Sequence, residues 1–141
     1  MGMEASLKVT VTLSSGRKFV NETLCYWCRG WNISREIFKI LGKNPDESVE
    51  CYKVNRSSLQ EIKDFLISSC NNIDSIEEYD YWSDPGNYIS SRYNDAAEIQ
   101  KIQMLRDKKL PLYAVFPDEC ENSYDPDDNV IDISVEFIYS P

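Results

Sequence analysis

The sequence predicts one α+β domain, a mixed but mainly antiparallel sheet with about three helices packed on one face. Polar and apolar residues alternate near the N-terminus and again near the C-terminus, as they do in half-buried strands. Segments between these stretches carry apolar residues at helical spacing. The 141 residues suit one domain, and no internal repeat or low-complexity linker divides them, so the predicted domain spans residues 1–141.

A β-hairpin is predicted at the start of the chain. In "LKVTVTL", residues 7–13, apolar and polar side chains alternate strictly, which predicts a strand with one buried face. Residues 14–17 contain a glycine suited to a turn, and "KFVNETL", residues 18–24, is predicted to be the returning strand. A helix is expected over residues 33–41, where an apolar stripe ends at Gly42.

A strand and a helix are predicted next. "VECYKV", residues 49–54, has the composition of a short strand. Residues 57–70 have the strongest helical pattern of the chain, with Ser58 and Glu61 expected to form a capping box. Residues 71–92 are rich in Asn, Asp, Ser, Pro and Gly and are predicted to be irregular.

The C-terminal part is predicted to hold one helix and two strands. The helix spans about residues 95–108 and ends before Pro111. "LPLYAVF", residues 110–116, is almost entirely apolar and is predicted to be a strand buried on both faces. Residues 118–128 are expected to form an acidic loop, and the alternation over residues 130–139 predicts a final amphipathic strand.

The composition argues against several classes of function. The chain has no histidine, so it cannot form a Ser-His-Asp or Cys-His catalytic group by itself, and we expect no enzymatic activity. With five glycines and no Gly-rich phosphate loop, a nucleotide-binding fold is not expected. Basic residues are scattered singly, which disfavours direct nucleic-acid binding. The longest uninterrupted apolar run, residues 112–116, is too short to cross a bilayer, and no signal peptide is evident.

The stretch "LCYWCRGW", residues 24–31, places Cys25 and Cys28 at C-x-x-C spacing. A redox pair needs a thiolate stabilised by a helix N-terminus or nearby cations, but the predicted helix begins too late in the sequence. A structural zinc needs four ligands, and the other three cysteines are isolated from one another. We therefore expect these cysteines to pack in the core, without a metal or cofactor. A thiol-redox or zinc-binding protein remains the alternative.

The net charge of −9 is unevenly distributed. Residues 1–71 contain ten Lys and Arg against eight Asp and Glu, whereas residues 72–141 contain five against sixteen. An acidic surface of this kind repels nucleic acid and anionic membranes and attracts basic protein surfaces.

An acidic and aromatic segment in the second half is the main candidate site. Tyr and Trp anchor protein interfaces, and carboxylates supply complementarity to Lys and Arg. The acids of the later loop form a second acidic edge. The predicted partner-binding residues are Glu77, Glu78, Tyr79, Asp80, Tyr81, Trp82 and Asp84 in the segment, with Asp125, Asp127 and Asp128 at the second edge.

The sequence thus predicts a small acidic protein-binding module of the cytoplasm. A specific form of this hypothesis is an inhibitor that occupies a nucleic-acid-binding surface of a nuclease or defence complex, with carboxylates in the place of phosphates. Anti-CRISPR proteins, other phage-encoded inhibitors and immunity proteins share this size and charge, which is an analogy of class alone. A structural subunit of a larger assembly is a further alternative.

Overall fold

The computed structural model describes residues 4–28, 31–71, 85–123 and 125–140, which form four strands and five helices. The strands are β1 (Glu4–Leu13), β2 (Lys18–Cys28), β3 (Cys51–Val54) and β4 (Val130–Ser140). The helices are α1 (Trp31–Leu41), α2 (Arg56–Ser69), α3 (Pro85–Arg106), α4 (Leu112–Val115) and α5 (Pro117–Ser123).

The strands form one sheet in the order β2-β1-β4-β3. Central strand β1 pairs with β2 through the hairpin and with β4 along its whole length, from Glu4 opposite Ser140 to Leu13 opposite Val130. The C-terminal strand therefore lies between the first strand and β3. The predicted α+β class is confirmed, and every strand pair within the described residues is antiparallel.

One face of the sheet carries the core. Along β1, Leu7, Val9 and Val11 are fully buried, while the residues between them remain partly exposed. Apolar side chains from the helices join the same buried cluster, among them Ile37 of α1, Leu59, Ile62 and Leu66 of α2, and Ile99 and Ile102 of α3. Because burying one such side chain stabilises a fold by about 1.5–3 kcal/mol, this cluster holds the helices on the sheet.

The predicted hairpin, the first two helices, the short third strand and the final strand are present with shifted boundaries. Helix α2 begins at Arg56 because Asn55, and not Ser58, is its N-cap residue. The side-chain oxygen of Asn55 accepts a hydrogen bond of 2.8 Å from the backbone N–H of Ser58. The predicted capping box of Ser58 and Glu61 is therefore wrong.

The prediction of a strand over residues 110–116 is also wrong, since Leu112–Val115 form the single helical turn α4. Leu112 and Phe116, four residues apart, are buried, whereas Tyr113 is exposed. This is the spacing of one helix face and not the alternation of a strand. An apolar run of this length does not distinguish the two structures by itself.

Two predicted irregular segments contain helix. The first part of the expected acidic loop is α5, which begins at Pro117 and carries Asp118 and Glu119 in its first turn. Proline suits the first helical position, and acids there complement the helix dipole. Helix α3 begins at Pro85, so residues 85–92 are helical. The preceding residues of that segment, 72–84, lie outside the described part of the chain.

Candidate functional site

The predicted binding residues divide into two groups. The acidic and aromatic segment lies outside the described residues, so its role stays a prediction; its members are Glu77, Glu78, Tyr79, Asp80, Tyr81, Trp82 and Asp84. The second edge is described, and it forms the turn that precedes β4.

The turn that precedes β4 is closed by local hydrogen bonds. The backbone N–H of Asp128 donates to the carbonyl oxygen of Asp125 over 3.0 Å. The Asp125 carboxylate also accepts a hydrogen bond of 2.9 Å from the backbone N–H of Asp127. Pro126 occupies the second position of this turn, which suits its fixed φ. Asp125 and Asp127 are both exposed, so their carboxylates face solvent.

Asp128 joins this turn to the β1–β2 hairpin. Its Oδ1 accepts hydrogen bonds from the Ser15 N–H (2.9 Å) and the Ser14 hydroxyl (3.0 Å), and its Oδ2 accepts one of 2.6 Å from the Ser15 hydroxyl. The Ser14 N–H also donates to the Asn129 carbonyl oxygen over 2.8 Å, and the Asn129 N–H donates to the Ser14 hydroxyl oxygen over 3.1 Å. These hydrogen bonds, those from Ser15 first, hold the pKa of Asp128 below its usual value.

Helix α5 adds carboxylates to the same end of the sheet. The Phe116 ring, just before α5, lies 5.6 Å from the Phe19 ring of β2, and the Arg17 guanidinium lies 4.8 Å from the Phe19 ring centre. Burial raises the pKa of the Cys120 thiol in α5, and the Arg17 charge opposes that rise. The Phe116–Phe19 contact and the hydrogen bonds of Asp128 to Ser15 therefore bring the start of α5 and the turn to one hairpin.

We name this set of carboxylates the acidic end: Asp118, Glu119, Glu121, Asp125, Asp127 and Asp128. The three α5 acids were not selected as binding residues from the sequence. A simple signal marks them, because residues 110–141 contain eight Asp and Glu and no Lys or Arg. A helix in the place of the expected loop holds them in a fixed arrangement.

An exposed aromatic side chain lies close to the acidic end in the chain. Tyr113 of α4 is 60% exposed, although Leu112 and Phe116 on either side of it are buried. An exposed tyrosine beside acids has the composition of a protein interface, because its ring buries a large area with few rotatable bonds.

The C-x-x-C stretch lies within β2 and not in a connection between the hairpin and α1. Cys25 is 2% exposed, and its Sγ donates to the backbone carbonyl oxygen of Asp95 over 3.5 Å. Burial, then the charges of Asp95 and Glu98, raise the pKa of this thiol well above its usual value. Cys25 therefore packs as expected and is poorly suited to form a thiolate. The side chain of Cys28 lies outside the described structure.

The described residues offer neither a metal site nor a membrane-spanning helix. Among the described residues, no group of three or more His, Cys, Asp or Glu side chains is placed to hold a metal ion. No helix in the described part of the chain combines the length and apolar character needed to cross a membrane.

Comparison with protein-family models, with curated proteins and with solved structures found no significant match.

Proposed function

We propose that this protein is a small protein-binding module whose acidic end docks on a basic surface of a partner protein. The observation that supports it most is that α5, through the Phe116–Phe19 contact, and the 125–128 turn, through Asp128 and Ser15, both adjoin one hairpin. Together these two elements carry six carboxylates. Such a concentration of charge steers association with a basic partner and favours that partner over acidic surfaces.

The acidic end is held in place before any partner arrives. Asp128 connects the turn to the hairpin through three hydrogen bonds, and the buried Phe116 and Cys120 attach α5 to the core. A surface that is already ordered loses less conformational entropy on binding. This order favours a binding surface over a merely solubilising acidic tail.

The finer form of the proposal is an inhibitor that occupies a nucleic-acid-binding surface. Carboxylates then take the places of phosphates opposite Lys and Arg side chains of the partner. The acidic and aromatic segment, residues 77–84, supplies the second contact, with Tyr79, Tyr81 and Trp82 as anchors. We place the protein in the cytoplasm, where thiols stay reduced, in keeping with the unpaired Cys25, Cys51, Cys70 and Cys120.

The experiment is affinity purification from native or phage-infected cells with three chains compared by quantitative mass spectrometry. The first is the wild type, and the second carries Glu121, Asp125 and Asp127 changed to Lys. The third is a matched control with Glu22, Glu47 and Glu61 changed to Lys, which alters the net charge equally at exposed sites outside the acidic end.

We expect a basic partner that the wild type and the control retain and the acidic-end variant loses. A parallel variant, Glu77/Glu78/Asp80→Lys, assigns the contribution of the 77–84 segment. Equal recovery of every partner by all of the chains would overturn the proposal. A stoichiometric complex that resists high salt and charge reversal would favour a structural subunit instead.

A further inference from the structure

A groove of about 450 Å³ runs between the N-terminus of α2, the C-terminus of α3 and the start of β4. Its volume falls within the range of small-molecule sites. The side chains that matter for its chemistry are Arg56, Arg106, Lys108, Val130, Ile131 and Asp132.

Positive charge predominates in this groove, although the whole chain is acidic. Three cations line it against the single carboxylate of Asp132. The guanidinium of Arg106 is oriented by a hydrogen bond of 3.1 Å to the carbonyl oxygen of Ile133. Arg56 lies 3.9 Å from Asp107, a long contact between two exposed side chains that contributes little. The groove therefore presents two guanidinium groups whose positive charge is only partly balanced by nearby carboxylates.

The two arginines also affect each other. Burial, followed by the charge of Arg56, lowers the pKa of Arg106, while Asp132 and Asp107 act in the opposite direction. Like charges that share a partly desolvated space repel, and a bound anion would relieve that repulsion. Guanidinium groups bind carboxylate and phosphate oxygens in a planar, often bidentate arrangement.

Lys108 occupies a backbone position that suits glycine. Its φ is +58°, and the hydrogen bonds from Lys108 N to Leu105 O and from Lys109 N to Met104 O form a Schellman motif at the end of α3. A residue with a Cβ is less stable there than glycine, because its Cβ crowds the backbone at positive φ.

Helix α1 ends with the same motif but uses glycine. Gly42 has a φ of +66°, with bonds from Gly42 N to Lys39 O and from Lys43 N to Phe38 O. The chain thus uses the favourable residue at one helix end and an unfavourable lysine at the other, where the side chain lines the groove. Backbone strain of this kind is concentrated at functional positions.

An apolar surface completes the groove. Thr12 pairs with Asp132 and Leu13 with Val130, so Ile131 is an extra residue in β4 without a partner across the ladder. A bulge of this kind redirects its side chain. Ile131 is 65% exposed and lies beside Val130 in the groove, so an apolar ligand group could contact it.

We propose that this groove binds a small organic anion, with a phosphate or carboxylate held by the three cations and an attached apolar group placed on Ile131. The groove adjoins the acidic end, because Lys108 and Asp128 line a neighbouring cavity, but anion binding in it does not depend on the proposed docking function.

The test is titration of the ¹⁵N-labelled full chain with phenyl phosphate at constant ionic strength, followed by amide chemical shifts. We expect saturable shifts confined to residues 56–60, 105–109 and 130–133. Phenylacetate, as a second probe, distinguishes a phosphate site from a carboxylate site by which of the two binds more tightly. Phenol tests the need for an anion, and we expect it not to bind.

Variants separate the parts of the site. Arg56→Gln and Lys108→Asn should each weaken phenyl phosphate binding about tenfold, because each removes one cation that holds the phosphate. Asparagine tolerates positive φ, so Lys108→Asn keeps the helix end. Lys43→Asn, an exposed lysine after the equivalent end of α1, is the matched control and should bind as the wild type does.

Ile131→Ser should weaken binding of phenyl phosphate and leave binding of inorganic phosphate unchanged. Shifts that spread over lysines throughout the surface, an equal loss in Lys43→Asn, or failure of both aromatic anions to saturate would overturn the proposal.

Discussion

The indole Nε1 of Trp27 donates a hydrogen bond of 2.9 Å to Oδ2 of Asp95, which joins edge strand β2 to helix α3. The same carboxylate oxygen lies 3.0 Å from Nε of Arg92, a buried guanidinium that also lies over the Tyr88 ring. This group of side chains fixes the first half of α3 against the sheet. Asp84, the last residue of the predicted binding segment, directly precedes α3 in the sequence.

The first prediction concerns this ion pair. Asp95→Ala removes the acceptor of the Trp27 indole N–H and leaves the buried Arg92 without its partner, which should lower the free energy of unfolding by about 3–5 kcal/mol. Glu98→Gln, on the same helix, removes an exposed pair with Lys101 and should cost less than about 1 kcal/mol. Urea denaturation of both variants measures the difference. Equal stability of the two would contradict a structural role for the Asp95–Arg92 pair.

The second prediction concerns pH. The pKa of Asp128 is lowered in the folded state by its hydrogen bonds from Ser15 and Ser14. Its stabilising contribution is therefore present above the unfolded pKa of about 3.9 and is lost as the pH falls through the lower folded pKa. Asp128→Asn should destabilise the protein at neutral pH, and the difference from the wild type should shrink below about pH 4. Thermal unfolding across this range measures it.

Asp95 should behave in the opposite sense. Burial raises its pKa in spite of Arg92 and Trp27, so its contribution to the pH dependence favours the folded state at low pH and declines as the pH rises through the folded pKa.

A stability difference between Asp128→Asn and the wild type that stays constant from pH 7 to below about pH 3 would contradict the assignment of the pH effect to Asp128.

The third prediction compares two helix ends. Lys108→Gly should raise the free energy of unfolding by about 1 kcal/mol, because glycine relieves the positive φ. Gly42→Ala should lower it by a similar amount, since no atom lies within 4 Å of the added Cβ and the penalty comes from φ alone. Urea denaturation measures both. A Lys108→Gly chain no more stable than the wild type would show that this position is unstrained.

The fourth prediction tests the thiol alternative. A maleimide reagent should modify exposed Cys51 in the native protein and leave Cys25 unmodified until the protein unfolds, as read by mass spectrometry of peptides. The buried thiol with its raised pKa is both inaccessible and protonated. Fast modification of native Cys25, or a reversible disulfide between Cys25 and Cys28, would instead support redox chemistry.

Strict alternation made the central strands predictable. From Leu7 to Leu13 in β1 and from Val135 to Tyr139 in β4 the buried residues recur at every second position, and a shift of one residue would expose the whole apolar face, so one register is favoured. The bulge at Ile131 could not be predicted, because the apolar alternation continues through it in the sequence. Its exposure follows from the pairing of β4 with β1.

Helix boundaries were less predictable where proline was involved. Pro85 lies in the segment predicted to be irregular and Pro117 lies between the predicted strand and the predicted acidic loop, but each begins a helix, where the missing N–H has no consequence. The start of α3 depends on tertiary contacts, with Tyr88 and Arg92 buried by packing that local propensity does not encode.

The candidate site was predictable in part. Charge asymmetry identified Asp125, Asp127 and Asp128, but the role of Asp128 in holding the hairpin depends on Ser15, more than a hundred residues away in sequence. The groove beside Lys108 was not predicted, since its cations come from separate elements and only the fold brings them together.

The most direct measurement of docking by the acidic end is the association rate of a captured basic partner with wild-type and charge-reversed chains at low and at physiological salt. For Glu121/Asp125/Asp127→Lys we expect the rate to fall at least about tenfold, with most of the salt dependence lost. The Glu22/Glu47/Glu61→Lys control should keep both the rate and the salt dependence close to those of the wild type. Equal rates for the two charge-reversed chains would contradict docking through the acidic end.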